Sequence, residues 1–189
     1  LVQEESVRER PYRKHFKVQE RESDETQYAF QNEVTLLHAG IAVDDVDPSR
    51  FYAGYDQRWG NIARDFDVQR RASIQLLEYI GSGSKEAAQL GVIQGAAGYG
   101  KSIALMRAAW ELSISFGEFV LWMDHDSKLR PDVIRELYAL SGKRLYIFID
   151  RAGFNSSKIE EILALSHAEK IPVTILTAER KNEWSMYCQ

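Results

Sequence analysis

Gly95, Gly100, Lys101 and Ser102 stand in the order G-x-x-x-x-G-K-S, with a further glycine at Gly98. Glycines let the backbone take positive φ and turn successive N–H groups inward around an anion. A lysine directly after them sets a point charge against the outer oxygens, and a serine hydroxyl is a ligand for a hard divalent cation. The stretch Gly95, Ala96, Ala97, Gly98, Tyr99, Gly100, Lys101, Ser102, Ile103 therefore reads as a cradle for phosphate groups, with Ser102 facing a Mg²⁺ ion.

Such a cation needs a carboxylate as well, delivered from a neighbouring strand. Asp150 supplies one at the end of the apolar run LYIFID. The residue after it is Arg151. A Glu in that position would orient a water for hydrolysis, so hydrolysis is expected to be slow or to draw on a base elsewhere. Further on, Glu179 and Arg180 follow IPVTILTA. There Thr177 or Arg180 could meet the last phosphate, with Glu183 and Trp184 weaker contenders. Asp124, His125 and Asp126 are consecutive and cannot all point at one centre, so no metal site is expected there. His15, His38 and His167 are scattered and give no zinc spacing.

A cradle of this kind must sit between a strand and a helix. Gly91 to Gln94 is the apolar run before it. After it, Ile103, Met106, Ala109 and Trp110 with Leu105, Ala108 and Leu112 give helical periodicity. The alternation continues with a buried strand at Glu118 to Met123. Next comes a helix opened by Pro131, carrying Val133, Ile134, Leu137 and Leu140, and stopped by Gly142. RLYIFID then reads as a strand. Ser157 with Glu160 suggests a capping box for a helix carrying Ile159, Ile162, Leu163 and Leu165, and Ile171 to Thr177 is the last strand. This order predicts an α/β fold with a mainly parallel sheet sandwiched by helices.

Upstream the pattern is less regular. ASIQLLEYI is helical through Ile74, Leu77 and Ile80. Residues 28–41 score comparably as helix and strand and are taken as a helix. The charge-mixed residues 1–27 read as an exposed arm, a linker or a solvated helix. Two parts are expected: residues 1–50 as a charged arm and linker, and residues 51–189 as the core. The start at Leu1 and the stop soon after a central strand read as those of a piece of something longer, with the core incomplete at its C-terminus.

The 189 residues, 44% hydrophobic, suffice for one sizeable core. A net charge of −4 gives no electrostatic reason to expect nucleic acid or anionic membrane as a partner. No apolar run approaches the roughly 20 residues of a membrane span. The single Cys188 cannot form an internal disulfide, and cytoplasmic location is the default expectation.

With the cradle and Asp150 as its Walker A and Walker B motifs, the sequence resembles the STAND class of P-loop ATPases over roughly Phe51 to Trp184. These are signalling switches related to AAA+ proteins, among them NOD-like receptors and bacterial antiviral sensors. FDVQRRASIQLLEYI is similar to the segment the class places before its cradle, which implies that Val68 and Arg70 flank the adenine, with Gln69 where glycine is usual. VTILTAER resembles the sensor strand whose terminal arginine reads the γ-phosphate, which favours Arg180 and keeps Thr177 as a rival. FYAGYDQRWGNIARDFDVQR looks like the segment that joins an N-terminal effector to the ATPase in bacterial defence proteins.

The resemblance implies a P-loop NTPase core that binds ATP and Mg²⁺, with Lys101, Asp150 and Arg180 as its acting residues and slow hydrolysis. Its nucleotide state, ATP or ADP, would control homo-oligomerisation and an effector in the same longer chain. Two other readings fit the same cradle: a small-molecule or nucleotide kinase, which would need a lid and a basic acceptor pocket, and a non-enzymatic docking module.

Overall fold

The computed structural model describes residues 10–17, 21–42, 46–55, 57–82, 88–123, 127, 129–181 and 183. Its elements in chain order are α1 (Asp24–Asn32), β1 (Val34–Leu36), α2 (Pro48–Tyr52), α3 (Trp59–Ala63), α4 (Arg71–Gly81), β2 (Ala88–Gly95), α5 (Lys101–Ile114), β3 (Phe119–Met123), α6 (Pro131–Ser141), β4 (Leu145–Asp150), α7 (Ser156–Glu169) and β5 (Val173–Arg180).

The five strands form one sheet in the order β1-β3-β4-β5-β2. The last four run parallel, and β1 joins the edge antiparallel to β3. Chain order and sheet order differ because β5 inserts between β2 and β4. Helical crossovers leave the strands covered on both faces, which is why β4 and β5 are near-continuous apolar runs.

Side chains of a strand alternate between faces, and the core divides accordingly. Leu145, Ile147, Ile149, Val173 and Ile175 pack under α6 and α7 with Val133, Leu137, Ile159 and Ile162. Tyr146, Phe148, Leu176 and Ala178 pack under α4 and α5 with Leu76, Leu105, Ala108 and Leu112. Asp150 and Arg180 continue the second set, so the strand register sends both toward the α5 side.

Gly142 ends α6 in the left-handed conformation, as its position in the sequence predicts. The expected capping box is absent. Asn155 precedes α7, no side chain caps it, and Ser157 already lies inside the helix. A 3₁₀ turn at Ala152–Asn155 runs straight into α7, so the helix starts earlier than a Ser157 cap would set it.

The N-terminal residues also depart from expectation. Residues 28–41 are not one helix. α1 ends at Asn32, β1 extends the sheet, and a 3₁₀ turn follows at Ala39–Ala42. Nor are the described residues before position 27 an exposed arm. Tyr12 and His15 are buried, Tyr12 stacks on Phe30 and His15 on Phe119. The Glu22 carboxylate is fully enclosed and accepts hydrogen bonds from the Tyr12 hydroxyl (2.8 Å), Arg13 (3.0 Å) and Arg10. Glu136 of α6 in turn accepts from the hydroxyls of Ser23 and Thr26 at the start of α1. Charges that look solvated in sequence are here neutralised by one another.

Candidate functional site

The cradle lies where β2 ends and α5 begins. Gly98 (φ 76°) and Gly100 (φ 69°) both take the left-handed conformation that the loop needs. Gly100 is the residue before α5, and no side chain caps the helix there. The first-turn N–H groups of a 14-residue helix are therefore left for a ligand, at the positive end of its dipole. Lys101 folds back so that its ammonium donates to the Ala96 carbonyl at 2.8 Å, across the cradle's mouth.

Sheet register brings the other groups to this point. Asp150 stands beside Ala178, and Ala178 beside Ile93, while Gly95 stands beside Arg180. The C-terminal ends of three adjacent parallel strands thus meet at the cradle, the edge at which open α/β sheets take ligands. A cavity of about 550 Å³ opens there, lined by Gly98, Gly100, Lys101, Ser102, Asp150 and Arg180, among others. The sequence separates these residues widely, and the sheet collects them.

Thr177 is not among them. It is fully buried, and its hydroxyl donates to the Ile149 carbonyl of the neighbouring strand at 2.6 Å. Of the two residues suggested for meeting a last phosphate, only Arg180 reaches the cavity. Its guanidinium is paired at 3.1 Å with Glu183, which lines the cavity too.

On the other side of the cradle, Arg70 precedes α4 and donates to the Tyr99 carbonyl at 3.2 Å. It packs so closely that a Cβ on Gly100 would come within 2.9 Å of the guanidinium carbon. Arg70, Ala72, Ile93, Ala96, Tyr99 and Ala104 line a second, more apolar cavity of about 380 Å³. Val68 lies exposed and lines neither of these two cavities.

The donor set suits a small hard cation held with phosphate oxygens and water: one hydroxyl, Ser102, and one carboxylate, Asp150. Among the described residues no group of three or more His, Cys, Asp or Glu could hold a metal by itself. Asp124, His125, Asp126, Trp184 and Cys188 lie outside the described residues.

Two features go beyond the sequence reading, which names Glu179 only as part of a polar strand end and gives it no role. Glu179 is buried at the end of β5, and both of its carboxylate oxygens accept backbone N–H groups. Arg107, on the buried face of α5, pairs with Asp67 just before Arg70. Glu179 could have been singled out as a charged residue ending an otherwise apolar strand. Nothing in the spacing of Asp67 and Arg107 announces their meeting.

A model of the family described as Novel STAND NTPase 5 matches residues 49–189. The chain belongs to this STAND NTPase family. The match spans the cradle, Asp150, Glu179 and Arg180, so the site described above lies wholly within the family's extent, in an NTPase-type domain. Among solved structures, C. elegans PCH-2 is similar at 14% identity over 60% of this chain, with a TM-score of 0.43. The chain spans 38% of the length of that protein. No curated protein matches the chain. Among the described residues no helix is long and apolar enough to cross a membrane.

Proposed function

We propose that this chain is the nucleotide-binding switch of a STAND signalling ATPase. Gly95 to Ser102 hold the phosphates of ATP, Ser102 and Asp150 hold Mg²⁺, and Arg180 meets the γ-phosphate. The observation that carries the reading is the convergence of the uncapped α5 N-terminus, Lys101, Ser102, Asp150 and Arg180 on one cavity at the strand ends. The family match supports it independently.

Each group has a distinct task. The backbone N–H groups of the cradle and α5 fix the phosphates without any charged side chain. Lys101 exchanges its bond to the uncharged Ala96 carbonyl for phosphate oxygens, so that both donor and acceptor carry charge. Arg180, released from Glu183, reports whether a third phosphate is present. Mg²⁺, when bound, neutralises phosphate charge. The cavity beside Arg70 receives the base.

Residues 51–189 form the nucleotide core on this reading, and the docked residues before them brace its far edge through β1. Nucleotide state then controls self-association and an attached effector in a prokaryotic defence protein of cytoplasmic location. Turnover is slow because Arg151 occupies the position after Asp150.

The test is equilibrium binding of ATP with Mg²⁺ and with EDTA, to the natural chain and to Asp150→Ala. The natural chain is expected to bind ATP more tightly with Mg²⁺, and Asp150→Ala to lose that increment while staying folded. A metal increment that survives Asp150→Ala would remove Asp150 from the site.

A further inference from the structure

Hydrolysis needs a group that aligns water on the γ-phosphate, and the usual place for it is filled by a cation. Arg151 is exposed and left-handed at φ 57°. Its backbone N–H points at the Ala178 carbonyl (3.0 Å) and the Asp150 carboxylate (3.1 Å). The cavity nevertheless contains three carboxylates: Asp150, Glu183 and Glu179. Asp150 is the metal's partner on the reading above, and Glu183 is engaged with Arg180.

Glu179 differs from both. It is 3% exposed, and its carboxylate is fixed at two points: one oxygen accepts from Gly153 N–H at 2.6 Å, the other from Arg180 N–H at 2.7 Å. Its strand lies between the strand that leads into the cradle and the strand that ends in Asp150, and its register partner Gln94 immediately precedes Gly95. A carboxylate has about four acceptor positions. The two backbone donors orient the group and leave further acceptor capacity, and although its place in the strand alternation follows Thr177 rather than Arg180, Glu179 lines the same cavity as Asp150. A held, buried carboxylate between phosphate cradle and metal partner is what water alignment asks for.

We propose that Glu179 orients the attacking water and accepts its proton, in place of a carboxylate following Asp150. The proposal rests on the nucleotide reading given above. The water oxygen bonds to the γ-phosphorus as the bond from that phosphorus to the bridging oxygen breaks. The bridging electron pair leaves with ADP, and the proton passes through the Glu179 carboxylate to the departing inorganic phosphate.

Glu179→Gln and Glu179→Asp test this in the whole chain by four measurements: affinity for Mg·ATP, thermal unfolding midpoint, single-turnover hydrolysis, and identity of the nucleotide left on the protein. Glu179→Gln is expected to bind ATP within about threefold of the natural chain and hydrolyse it at least about a hundredfold more slowly, keeping ATP rather than ADP bound. Glu179→Asp, which keeps the charge but withdraws it by one methylene, should fold, bind ATP and lose at least about tenfold in hydrolysis.

Undiminished hydrolysis in either variant overturns the proposal, as does a natural chain that binds ATP without hydrolysing it. Loss of hydrolysis only in step with affinity and unfolding midpoint also overturns it, and Glu179 is then a clasp for the Ala152–Asn155 turn. A natural chain that binds no ATP defeats the nucleotide reading itself, and the affinity measurement registers this before any hydrolysis is scored.

Discussion

Arg107 and Asp67 form a buried pair that joins α5, the helix behind the glycine cradle, to the segment carrying Arg70. Two guanidinium nitrogens meet the two Asp67 oxygens, one of them at 2.9 Å, with the side chains 7% and 1% exposed. A further bond of 2.7 Å runs to the Ile62 carbonyl, and Asp65 and Glu111 complete the surround. The hydrogen bond from Arg107 to Asp67 raises the guanidinium pKa above its ordinary value against the opposing effect of burial. Asp67 lies three residues before Arg70, so the pair ties both walls of the smaller cavity to one frame.

Removing Asp67 takes away the one fully buried carboxylate that Arg107 meets and leaves the guanidinium to the more exposed Asp65 and Glu111. Asp67→Ala is expected to cost about 3 kcal/mol of stability in denaturant unfolding. Arg107→Met with Asp67→Leu should recover most of that loss, because the buried guanidinium is removed together with its buried carboxylate. ATP affinity should fall in the single variant through the freed Arg70 segment, and equilibrium binding at a temperature where it remains folded checks this.

Gly100→Ala should be costly for two reasons that act together. The position has positive φ, and the new methyl would displace the Arg70 guanidinium. A loss of about 1–2 kcal/mol is expected, with weaker ATP binding. Gly98→Ala meets no neighbouring atom within 4 Å and carries only the backbone penalty, so its loss of stability should be the smaller.

His15 makes the fold sensitive to acid. It is 3% exposed, stacked 4.5 Å from Phe119, and neither ring nitrogen has a hydrogen-bond partner. Burial first, then the nearby Lys14 and Lys143, lowers its pKa to about 4. A histidine that titrates near 6.5 when unfolded and near 4 when folded contributes its full stability above about pH 6.5. It loses that contribution as pH falls toward 4, up to about 3 kcal/mol by linkage. Stability measured from pH 7 to pH 4 should show this decline, and His15→Phe should flatten it over that window. An equal decline in the variant would assign the sensitivity to other groups.

The legible parts of the fold were those governed by local rules. The apolar runs of β3, β4 and β5, Pro131 at the start of α6 and Gly142 at its end are each set by neighbours within a few residues. The N-terminal residues were not, because Glu22 is buried only by virtue of Arg10, Arg13 and Tyr12 closing around it. No periodicity separates a charge paired in this way from one in water. β1, at three residues, is too short to display a strand's alternation. In the site, residue type and spacing singled out Lys101, Ser102 and Asp150. Thr177 and Arg180 could be told apart only once strand register fixed the face each one takes.

The central claim is that the cradle binds Mg·ATP, and calorimetric titration of the natural chain and Lys101→Ala tests it most directly, with thermal unfolding measured alongside. In the folded chain the Lys101 ammonium donates one solvent-exposed hydrogen bond, to the uncharged Ala96 carbonyl, so its loss should cost little stability. With nucleotide bound it would face phosphate charge, where a charge-assisted bond of about 1.5–3 kcal/mol corresponds to roughly ten- to a hundredfold in affinity. The account predicts saturable binding by the natural chain, and binding at least about tenfold weaker in Lys101→Ala at a nearly unchanged unfolding midpoint. Equal affinity in the two proteins, or no binding by the natural chain, would contradict it.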